Sequence, residues 1–215
     1  MAGRRAADPH FAGLPLVAIL RGVSPGDVVS LGRELFAAGF RVIEVPMNSP
    51  EPIESIGLLA EEFGDGARVG GGTVLTVAQV RDVAAAGGTL VVSPNADPDV
   101  IRAAKAAGVW SMPGVATPTE GFAALAAGAD ALKLFPAEQM APPVVKAWRA
   151  VFPRDVPFVM VGGVTPESMA SFVAAGADGF GLGSALYRPG MTAGEVRTAA
   201  DRFVAAWRAC QPSRP

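Results

Sequence analysis

The sequence predicts a single-domain α/β protein folded as a (β/α)8 TIM barrel, and three observations carry that prediction. Short apolar stretches alternate with helical ones along nearly the whole chain, at a spacing of roughly 20–28 residues, about what one strand, one helix and two short loops require. Eight such units follow one another, which favours a closed barrel. Half of the residues are hydrophobic and 18% are charged, which suits strands buried on both faces.

A doubly wound open sheet is the structural alternative. Such a sheet has about five or six strands and often carries a G-x-G-x-x-G fingerprint after the first one. Here residues 21–24 follow the first strand as Arg-Gly-Val-Ser, and the glycines of 70–72 have a different spacing. The barrel is therefore the preferred prediction.

The composition excludes several classes of protein and partner. The 215 residues carry a net charge of −2 and no basic run, so nucleic acid is not expected as a partner. No apolar stretch reaches the ~18–20 residues of a membrane span, and residues 1–13 lack the apolar region of a signal peptide, so no membrane partner is expected. The one cysteine, Cys210, fits a reducing cytosol, and we expect a cytoplasmic protein. With His10 as the one histidine, a zinc site has almost no ligands, and neither a metal nor a cofactor is expected.

The elements can be assigned in chain order. Residues 1–13 are predicted to form an arm or a short helix, residues 14–210 the barrel, and residues 211–215 a frayed tail. The eight strands are predicted around residues 16–20, 41–45, 67–70, 89–92, 109–112, 130–135, 157–161 and 179–182.

Helix boundaries show repeated local signals. A Ser, Thr or Asp offers an N-cap at the predicted starts, often with Pro next to it, and the helix after the second strand is expected to begin near Ser49. The other predicted starts and the glycines predicted to end helices are Ser24, Thr76, Asp97, Thr117, Thr165 and Thr192, and Gly39, Gly87, Gly108, Gly128 and Gly176.

Residues 131–136 form a short apolar run with one amine at its centre. Neighbours on a strand point to opposite faces, so if Leu132 and Leu134 face the helices, Lys133 and Phe135 face the barrel interior. An ammonium held there is costly unless it is paired or neutralised. A lysine in an apolar site has a lowered pKa and can attack a carbonyl to form a Schiff base, so Lys133 is predicted to be a catalytic nucleophile.

Residues 41–46 carry a carboxylate in the same manner. Ile43 and Val45 face one side of this strand and Glu44 faces the other. A buried carboxylate whose pKa is raised towards neutrality can shuttle protons, so Glu44 is predicted to be the catalytic acid and base. The alternative is a structural ion pair between Lys133 and Glu44, which we favour less because buried pairs seldom add net stability.

Other strand ends supply polar groups at the face where barrel active sites lie. Arg21 can bind a carboxylate through its bidentate fork, although a surface arginine that caps a loop is an equal alternative. Thr73 can donate to the same carboxylate, although a plain turn residue is the simpler interpretation. Residues 93–95 (Ser-Pro-Asn) and Pro113 are expected to shape the pocket floor.

Glycine-rich stretches follow the last two strands. Glycine lets backbone N–H groups approach a ligand, and the next helix adds positive potential. Barrels often bind phosphate at this position. The predicted phosphate-binding residues are Gly162, Gly163, Gly183 and Ser184.

These stretches together resemble one known family, the class I aldolases that act on 2-keto-3-deoxy-6-phosphosugar acids. The resemblance runs in order from about residue 14 to 208, and it is carried by residues 18–22, 43–45, 71–74, 93–95, 132–136, 162–164 and 183–184. It implies a homotrimer of (β/α)8 barrels that uses a Schiff-base lysine and no metal. The implied partners are a phosphorylated keto-acid substrate and pyruvate.

Site residues follow from the resemblance by position. It implies that Lys133 forms the Schiff base and that Glu44 is the acid and base. It also implies that Gly162, Gly163, Gly183 and Ser184 bind the substrate phosphate. The implied substrate-binding residues are Arg21, Asn48, Thr73, Pro94, Phe135 and Val161.

Two branches of the family differ in the stereochemistry at C4 of the substrate. Gluconate-type enzymes typically carry an Arg shortly after the catalytic Glu and a Thr before the Gly-Gly of strand seven. This chain has Asn-Ser-Pro at residues 48–50 and Val161 there, which resembles the galactonate branch. We therefore expect cleavage of 2-dehydro-3-deoxy-6-phospho-D-galactonate to pyruvate and D-glyceraldehyde 3-phosphate.

Other functions stay open on sequence alone. Within the family, the substrate can instead be the gluconate epimer or 4-hydroxy-2-oxoglutarate. Outside it, a phosphosugar isomerase or epimerase can use the glycine loops on the same barrel. A non-catalytic phosphometabolite-binding barrel would keep Lys133 and Glu44 as a structural pair.

Overall fold

The computed structural model describes residues 8–211, which form one parallel sheet surrounded by helices. The strands are β1 Leu16–Ile19, β2 Val42–Pro46, β3 Arg68–Gly72, β4 Leu90–Val92, β5 Trp110–Met112, β6 Gly114–Val115, β7 Leu132–Leu134, β8 Phe158–Val161 and β9 Gly179–Leu182. The helices are α1 Pro9–Gly13, α2 Pro25–Ala38, α3 Pro52–Phe63, α4 Val77–Ala85, α5 Pro98–Ala106, α6 Pro118–Ala127, α7 Pro142–Arg149, α8 Pro166–Ala175 and α9 Ala193–Cys210. The predicted arm and tail lie partly outside the described residues, at 1–7 and 212–215.

The sheet closes into a barrel. Its strand order is β5-β4-β3-β2-β1-β9-β8-β7-β6, with every pair parallel. Only Pro113 separates β5 from β6, so the two ends of the sheet meet within one barrel strand. The backbone N–H of Lys133 donates to the carbonyl of Pro113 at 2.9 Å, and that of Asp130 donates to Ser111 at 2.9 Å. The predicted (β/α)8 barrel is confirmed, and its fifth strand is broken because proline lacks the N–H that a ladder needs.

Apolar side chains fill two layers. Inside the barrel, Val17, Val42 and Val159 are fully buried, and Phe11 of α1 packs against the ring of Trp110 at 5.8 Å between centroids. Outside it, a larger cluster lies between the strands and the helices. Helix α1 therefore covers the end of the barrel where the strands begin, and the opposite end stays open.

Most helices begin and end where the local signals indicate. Thr117, Thr165 and Thr192 each form a reciprocal capping box, and Gly39, Gly128 and Gly176 end helices in the left-handed conformation. Asp97 accepts from the backbone of α5, and Thr76 accepts from that of α4. Such caps satisfy backbone groups that a helix end leaves without partners.

Two predicted helix starts differ in detail from the structure. The helix expected near Ser49 is α3, which begins three residues later at Pro52, after Glu51 in the left-handed region (φ 38). The Ser49 hydroxyl instead accepts a hydrogen bond from the backbone N–H of Gly22 at 2.9 Å, which joins the loops after β1 and β2. Ser24 precedes α2 as predicted, but its hydroxyl donates to the Asp27 carboxylate rather than capping the backbone.

Polar side chains tie the strand beginnings together at the closed end. Arg149 of α7 donates to the carbonyls of Gly176 and Val156 at 2.7 and 2.8 Å and pairs with Asp178. Asp178 also accepts from the backbone N–H of Phe158 at 2.7 Å. No helix within residues 8–211 is both long and apolar enough to span a bilayer.

Candidate active site

A pocket of about 550 Å³ opens at the carboxyl ends of the strands. This volume lies within the range of small-molecule sites. Its walls come from β1, β7, β8 and β9 and from loops at the carboxyl ends of the strands, including those after β3 and β4. Its lining residues are Ile19, Arg21, Thr73, Pro94, Lys133, Phe135, Glu138, Val161, Gly162, Gly163, Val164, Thr165, Gly181, Gly183, Ser184, Ala185 and Arg188.

Lys133 lies at the bottom of this pocket. Its neighbours Leu132 and Leu134 are fully buried on the helix side of β7, so the lysine side chain points into the barrel, where it is 6% exposed. The Nζ atom lies 4.7 Å from the centroid of the Phe135 ring. Burial lowers the pKa of the Lys133 amine, the Glu44 carboxylate raises it in part, and Arg21 lowers it further. Burial therefore shifts the Lys133 amine towards its neutral form, which is the nucleophilic one.

Glu44 projects from β2 into the same interior and is 2% exposed. A Cβ on Gly72 of the neighbouring strand would lie 1.1 Å from Glu44 Oε2, so only glycine leaves room for the carboxyl. Burial raises the pKa of Glu44, and the positive charges of Lys133 and Arg21 lower it in part. Within residues 8–211, the charges of Glu44 and Lys133 interact without a direct ion pair.

The two groups together can perform proton-coupled chemistry at a carbonyl. Both are shifted towards their uncharged forms by the same cause, removal from water. A neutral amine can add to a carbonyl carbon, and a carboxyl titrating nearer neutrality can give and take the protons that this addition requires.

Arg21 is held at the pocket rim by two side chains. Its Nη1 donates to Asn48 Oδ1 at 2.6 Å, and its Nη2 donates to Thr73 Oγ1 at 3.3 Å. Thr73 adopts a left-handed backbone (φ 55), which a β-branched residue rarely does and which costs of order 1–3 kcal/mol. That conformation directs the Thr73 hydroxyl towards the guanidinium. Arg21 is thus a positioned cation that can bind a substrate carboxylate.

Glycine loops line the opposite wall. Gly162 and Gly163 follow β8 with φ values of 110 and 59, and Gly183 and Ser184 follow β9. Helix α8 begins just after the first pair, so its N-terminal partial charge adds to the local potential. A phosphate can be held there by backbone N–H groups.

The structure brings together most of the residues that the sequence singled out. Ten of them line the pocket, and Val161 lies with its methyl groups against Gly181, where a Cβ would approach to 2.7 Å. Two do not form its walls: Glu44 lies beneath the surface, and Asn48 acts on Arg21.

Two charged pocket residues were missed by sequence reasoning. Glu138 belongs to the short 3₁₀ helix Ala137–Gln139 after β7, and Arg188 lies in the loop after β9. Their one signal in the sequence was their nearness to strand ends, which surface loops share. Among the described residues, no group of three or more His, Cys, Asp and Glu side chains is arranged to hold a metal.

Comparison with known sequences identifies relatives over most of the chain. The family model for KDPG and KHG aldolase matches residues 8–198. A Rhizobium meliloti (strain 1021) protein named "Probable 2-dehydro-3-deoxy-6-phosphogalactonate aldolase" is 49% identical over 195 residues, 91% of this chain and 92% of the relative. An Escherichia coli (strain K12) protein named "2-dehydro-3-deoxy-6-phosphogalactonate aldolase" is 45% identical over 195 residues, 91% of this chain and 95% of the relative.

Solved structures give the same picture. One described as "Native KDPGal structure" has a TM-score of 0.91 and 44% identity, and the match covers 92% of this chain and 96% of the other. Another is the KDPG aldolase of Legionella pneumophila "with pyruvate captured at low pH as a covalent carbinolamine intermediate". It has a TM-score of 0.77 and 28% identity, covering 94% of this chain and 96% of the other.

Proposed function

The chain belongs to the KDPG and KHG aldolase family and is a carbon–carbon lyase, and from that premise we propose its substrate and mechanism. The proposed reaction is cleavage of 2-dehydro-3-deoxy-6-phospho-D-galactonate to pyruvate and D-glyceraldehyde 3-phosphate. Its main support is the buried Lys133 amine at the bottom of a pocket that also holds Arg21 and two glycine loops. The names of the two relatives support the choice of substrate.

The first step is attack of the Lys133 amine on the C2 ketone. The carbinolamine loses water to give a protonated imine, with Glu44 supplying and removing the protons. The covalent carbinolamine of pyruvate in the Legionella pneumophila enzyme supports such an adduct at the corresponding stage. The imine nitrogen then serves as the electron sink.

The second step breaks the C3–C4 bond. Glu44, acting through a water, takes the proton of the C4 hydroxyl as C4 becomes the aldehyde of glyceraldehyde 3-phosphate. The bonding electrons move into the enamine of pyruvate on Lys133. Glu44 returns the proton to C3, and water hydrolyses the imine to release pyruvate and restore the amine.

Binding groups orient the substrate for this chemistry. Arg21 takes the C1 carboxylate, and the rigid hold of Asn48 and Thr73 on Arg21 reduces the entropy lost on binding. The glycine loops take the C6 phosphate at the other end of the pocket. Phe135 and Pro94 supply apolar contacts on the walls beside the keto acid.

The C4 epimer is selected in part by Val161. This side chain is 5% exposed and lines the pocket with methyl groups, so it offers no hydrogen bond to a C4 hydroxyl. Discrimination built on one such contact is on the order of 1–3 kcal/mol, so slower cleavage of the gluconate epimer is expected. A pyruvate-release assay on both epimers checks this, and equal kcat/KM values would contradict the galactonate assignment.

The lysine is tested by trapping. Borohydride added with pyruvate is expected to reduce the imine and leave a stable adduct, which peptide mass spectrometry should place on Lys133. Lys133→Met should abolish both adduct and turnover, whereas Lys146→Met, an exposed lysine on α7, should match the wild-type protein. Full lyase activity in Lys133→Met would end the proposal.

Trapping, together with turnover and stability of the same variants, separates the other function classes. A phosphosugar isomerase or epimerase would interconvert its substrates without leaving a trappable imine. A non-catalytic binding barrel would show ligand binding without turnover, and loss of either Lys133 or Glu44 would then lower stability alone.

We also propose that the chain forms a homotrimer and works in the cytoplasm. The trimer is supported by the resemblance of the site stretches to the aldolase family. The cytoplasm is supported by the single cysteine, because disulfides are rare in a reducing compartment.

A further inference from the structure

Arg188 is a pocket residue that the proposed mechanism does not use. It lies in the loop after β9, four residues beyond Ser184, and it lines the same pocket as Gly162, Gly163 and Gly183. Its side chain forms no ion pair within residues 8–211. A guanidinium carries five N–H donors and a positive charge. Because no carboxylate in the described part of the chain pairs with it, the Arg188 guanidinium is available to bind an anion.

The loop that carries Arg188 is anchored on both sides. The backbone N–H groups of Leu186 and Tyr187 donate to the Gly183 carbonyl at 2.8 and 3.0 Å, and both side chains are buried. Pro189 packs on Gly22 so closely that a Cβ there would lie 2.8 Å from its Cγ. The backbone of Arg188 is therefore fixed between the glycine loop of β9 and the end of β1.

Charge in the pocket shows why a further cation is needed. The proposed substrate carries a carboxylate and a phosphate of about −1.5 to −2 at neutral pH. Lys133 and Glu44 carry opposite charges when both are ionised and no charge when both are neutral, so as a pair they contribute little net charge. Arg21 supplies one positive charge at the carboxylate end.

A carboxylate also lies against the phosphate loop. A Cβ on Gly162 would lie 2.2 Å from Glu138 Oε2, and one on Gly163 would lie 2.4 Å from Glu138 Cγ. Without Arg188, the charges of Arg21 and Glu138 cancel, and a multiply charged anion would enter a pocket of no net charge. Backbone N–H groups alone would then have to offset the repulsion between the substrate phosphate and the Glu138 carboxylate.

We propose that Arg188 is the cation of the phosphate subsite and makes the pocket selective for phosphorylated over unphosphorylated aldehydes. This inference rests on the proposed aldolase function. A guanidinium fits a phosphate through two parallel N–H···O bonds, and such charge-assisted bonds are stronger than neutral ones.

The test uses the aldol direction, in which pyruvate is condensed with either D-glyceraldehyde 3-phosphate or D-glyceraldehyde. Arg188→Met is expected to lower the ratio of kcat/KM for the phosphorylated over the plain aldehyde by about 10- to 100-fold. The loss should appear mainly as a higher KM. Arg188→Lys should retain part of the preference, because it keeps the charge and loses the fork.

Arg81→Met is the matched control, since Arg81 is an exposed arginine on α4 that does not line the pocket. An unchanged ratio of kcat/KM values in Arg188→Met would overturn the inference. This includes the case in which both aldehydes lose kcat/KM equally, which would indicate a structural role.

A second measurement is independent of turnover. Titration with inorganic phosphate, followed by calorimetry, should show weaker binding to Arg188→Met than to the wild-type protein and to Arg81→Met. Equal binding would overturn the inference even if the aldolase reaction holds. A wild-type protein that binds phosphate through Arg188 but condenses neither aldehyde would instead overturn the proposed function.

Discussion

At the scale of single residues, the site depends on keeping two ionisable groups out of water. Removal from solvent shifts the pKa values of Lys133 and Glu44 in opposite directions, and each group's charge opposes the shift of the other. Neither shift favours stability, since a buried ionisable group costs folding free energy. Their presence is therefore best explained by a catalytic role, in keeping with the trade-off between stability and activity at functional sites.

Glu44→Gln should change how stability depends on pH. Because the pKa of Glu44 is higher in the folded protein, the folded state keeps its proton after the unfolded state has lost it near 4.5. The unfolding free energy of the wild-type protein should therefore fall as the pH rises above 4.5, through the range in which folded Glu44 holds its proton. The variant has no such carboxyl, so its unfolding free energy should lack this pH-dependent contribution.

Chemical denaturation across pH measures the effect. The stability of Glu44→Gln relative to wild type should rise over that range, while turnover falls by about 10²–10⁴-fold through loss of the acid and base. Glu61→Gln, an exposed carboxylate on α3, controls for the loss of one negative charge. A relative stability that stays flat with pH would contradict the raised pKa.

Gly72→Ala should displace the Glu44 carboxyl, because the new Cβ would overlap Oε2. We expect kcat to fall by at least about tenfold, with the Lys133 adduct still trapped on long incubation. Gly194→Ala on α9 is the control, since a Cβ there meets nothing within 4 Å. Circular dichroism should show that both variants are folded, and a wild-type kcat in Gly72→Ala would count against the role of Glu44.

At the scale of elements, one end of the barrel carries the pocket and the other end is held together by side-chain contacts. Loops at the carboxyl ends of the strands carry the pocket, and the opposite end is tied by side chains such as Arg149 and covered by α1. Arg149 joins α7 to the starts of β8 and β9 through two carbonyls and the Asp178 carboxylate. Function and stability should therefore respond to different substitutions.

Arg149→Met should lower the unfolding free energy by about 1–3 kcal/mol, because the part-buried carbonyls of Gly176 and Val156 lose their donor and the exposed Asp178 carboxylate loses its partner. Methionine keeps much of the apolar contact that the Arg149 side chain makes with Phe158. Thermal or urea unfolding measures the loss, and kcat should be unchanged in the folded variant.

Arg102→Met provides the comparison. Its ion pair with Asp99 lies on the exposed face of α5, so the change should stay within about 0.5 kcal/mol. Equal losses in the Arg102 and Arg149 variants would contradict a special role for Arg149.

At the scale of the whole molecule, closure of the sheet creates the site. Arg21, Lys133 and Arg188 are far apart in the chain and line one pocket because β1, β7 and β9 belong to one barrel. The break at Pro113 does not prevent closure, since β7 pairs with β6 and the residues just before β7 bond to Ser111 on the other side of the break.

The proposed homotrimer is a prediction at this scale. Sedimentation or light scattering should give a particle of about three times the chain mass of 21.9 kDa, independent of concentration over a wide range. A trimer is expected from the resemblance of the site stretches to the aldolase family, and a closed ring of three chains would not grow further with concentration. A mass of one chain at all concentrations would exclude it.

The sequence by itself determined the fold class, most element boundaries and the two central residues. These features are local: apolar runs, N-caps such as Thr117 and end glycines such as Gly128 act within a few residues. A single charge in an apolar strand, as at Lys133 or Glu44, is visible without knowing its partner. The family resemblance then implied their roles.

Only the tertiary structure decided which side chains meet. It showed that Gly72 makes room for Glu44, that Asn48 binds Arg21, and that Ser49 accepts a hydrogen bond from Gly22. It also placed Arg188 in the pocket that the glycine loops line. Such contacts join residues from different strands and loops, so they depend on register, barrel closure and loop path, and no short stretch of sequence contains that information.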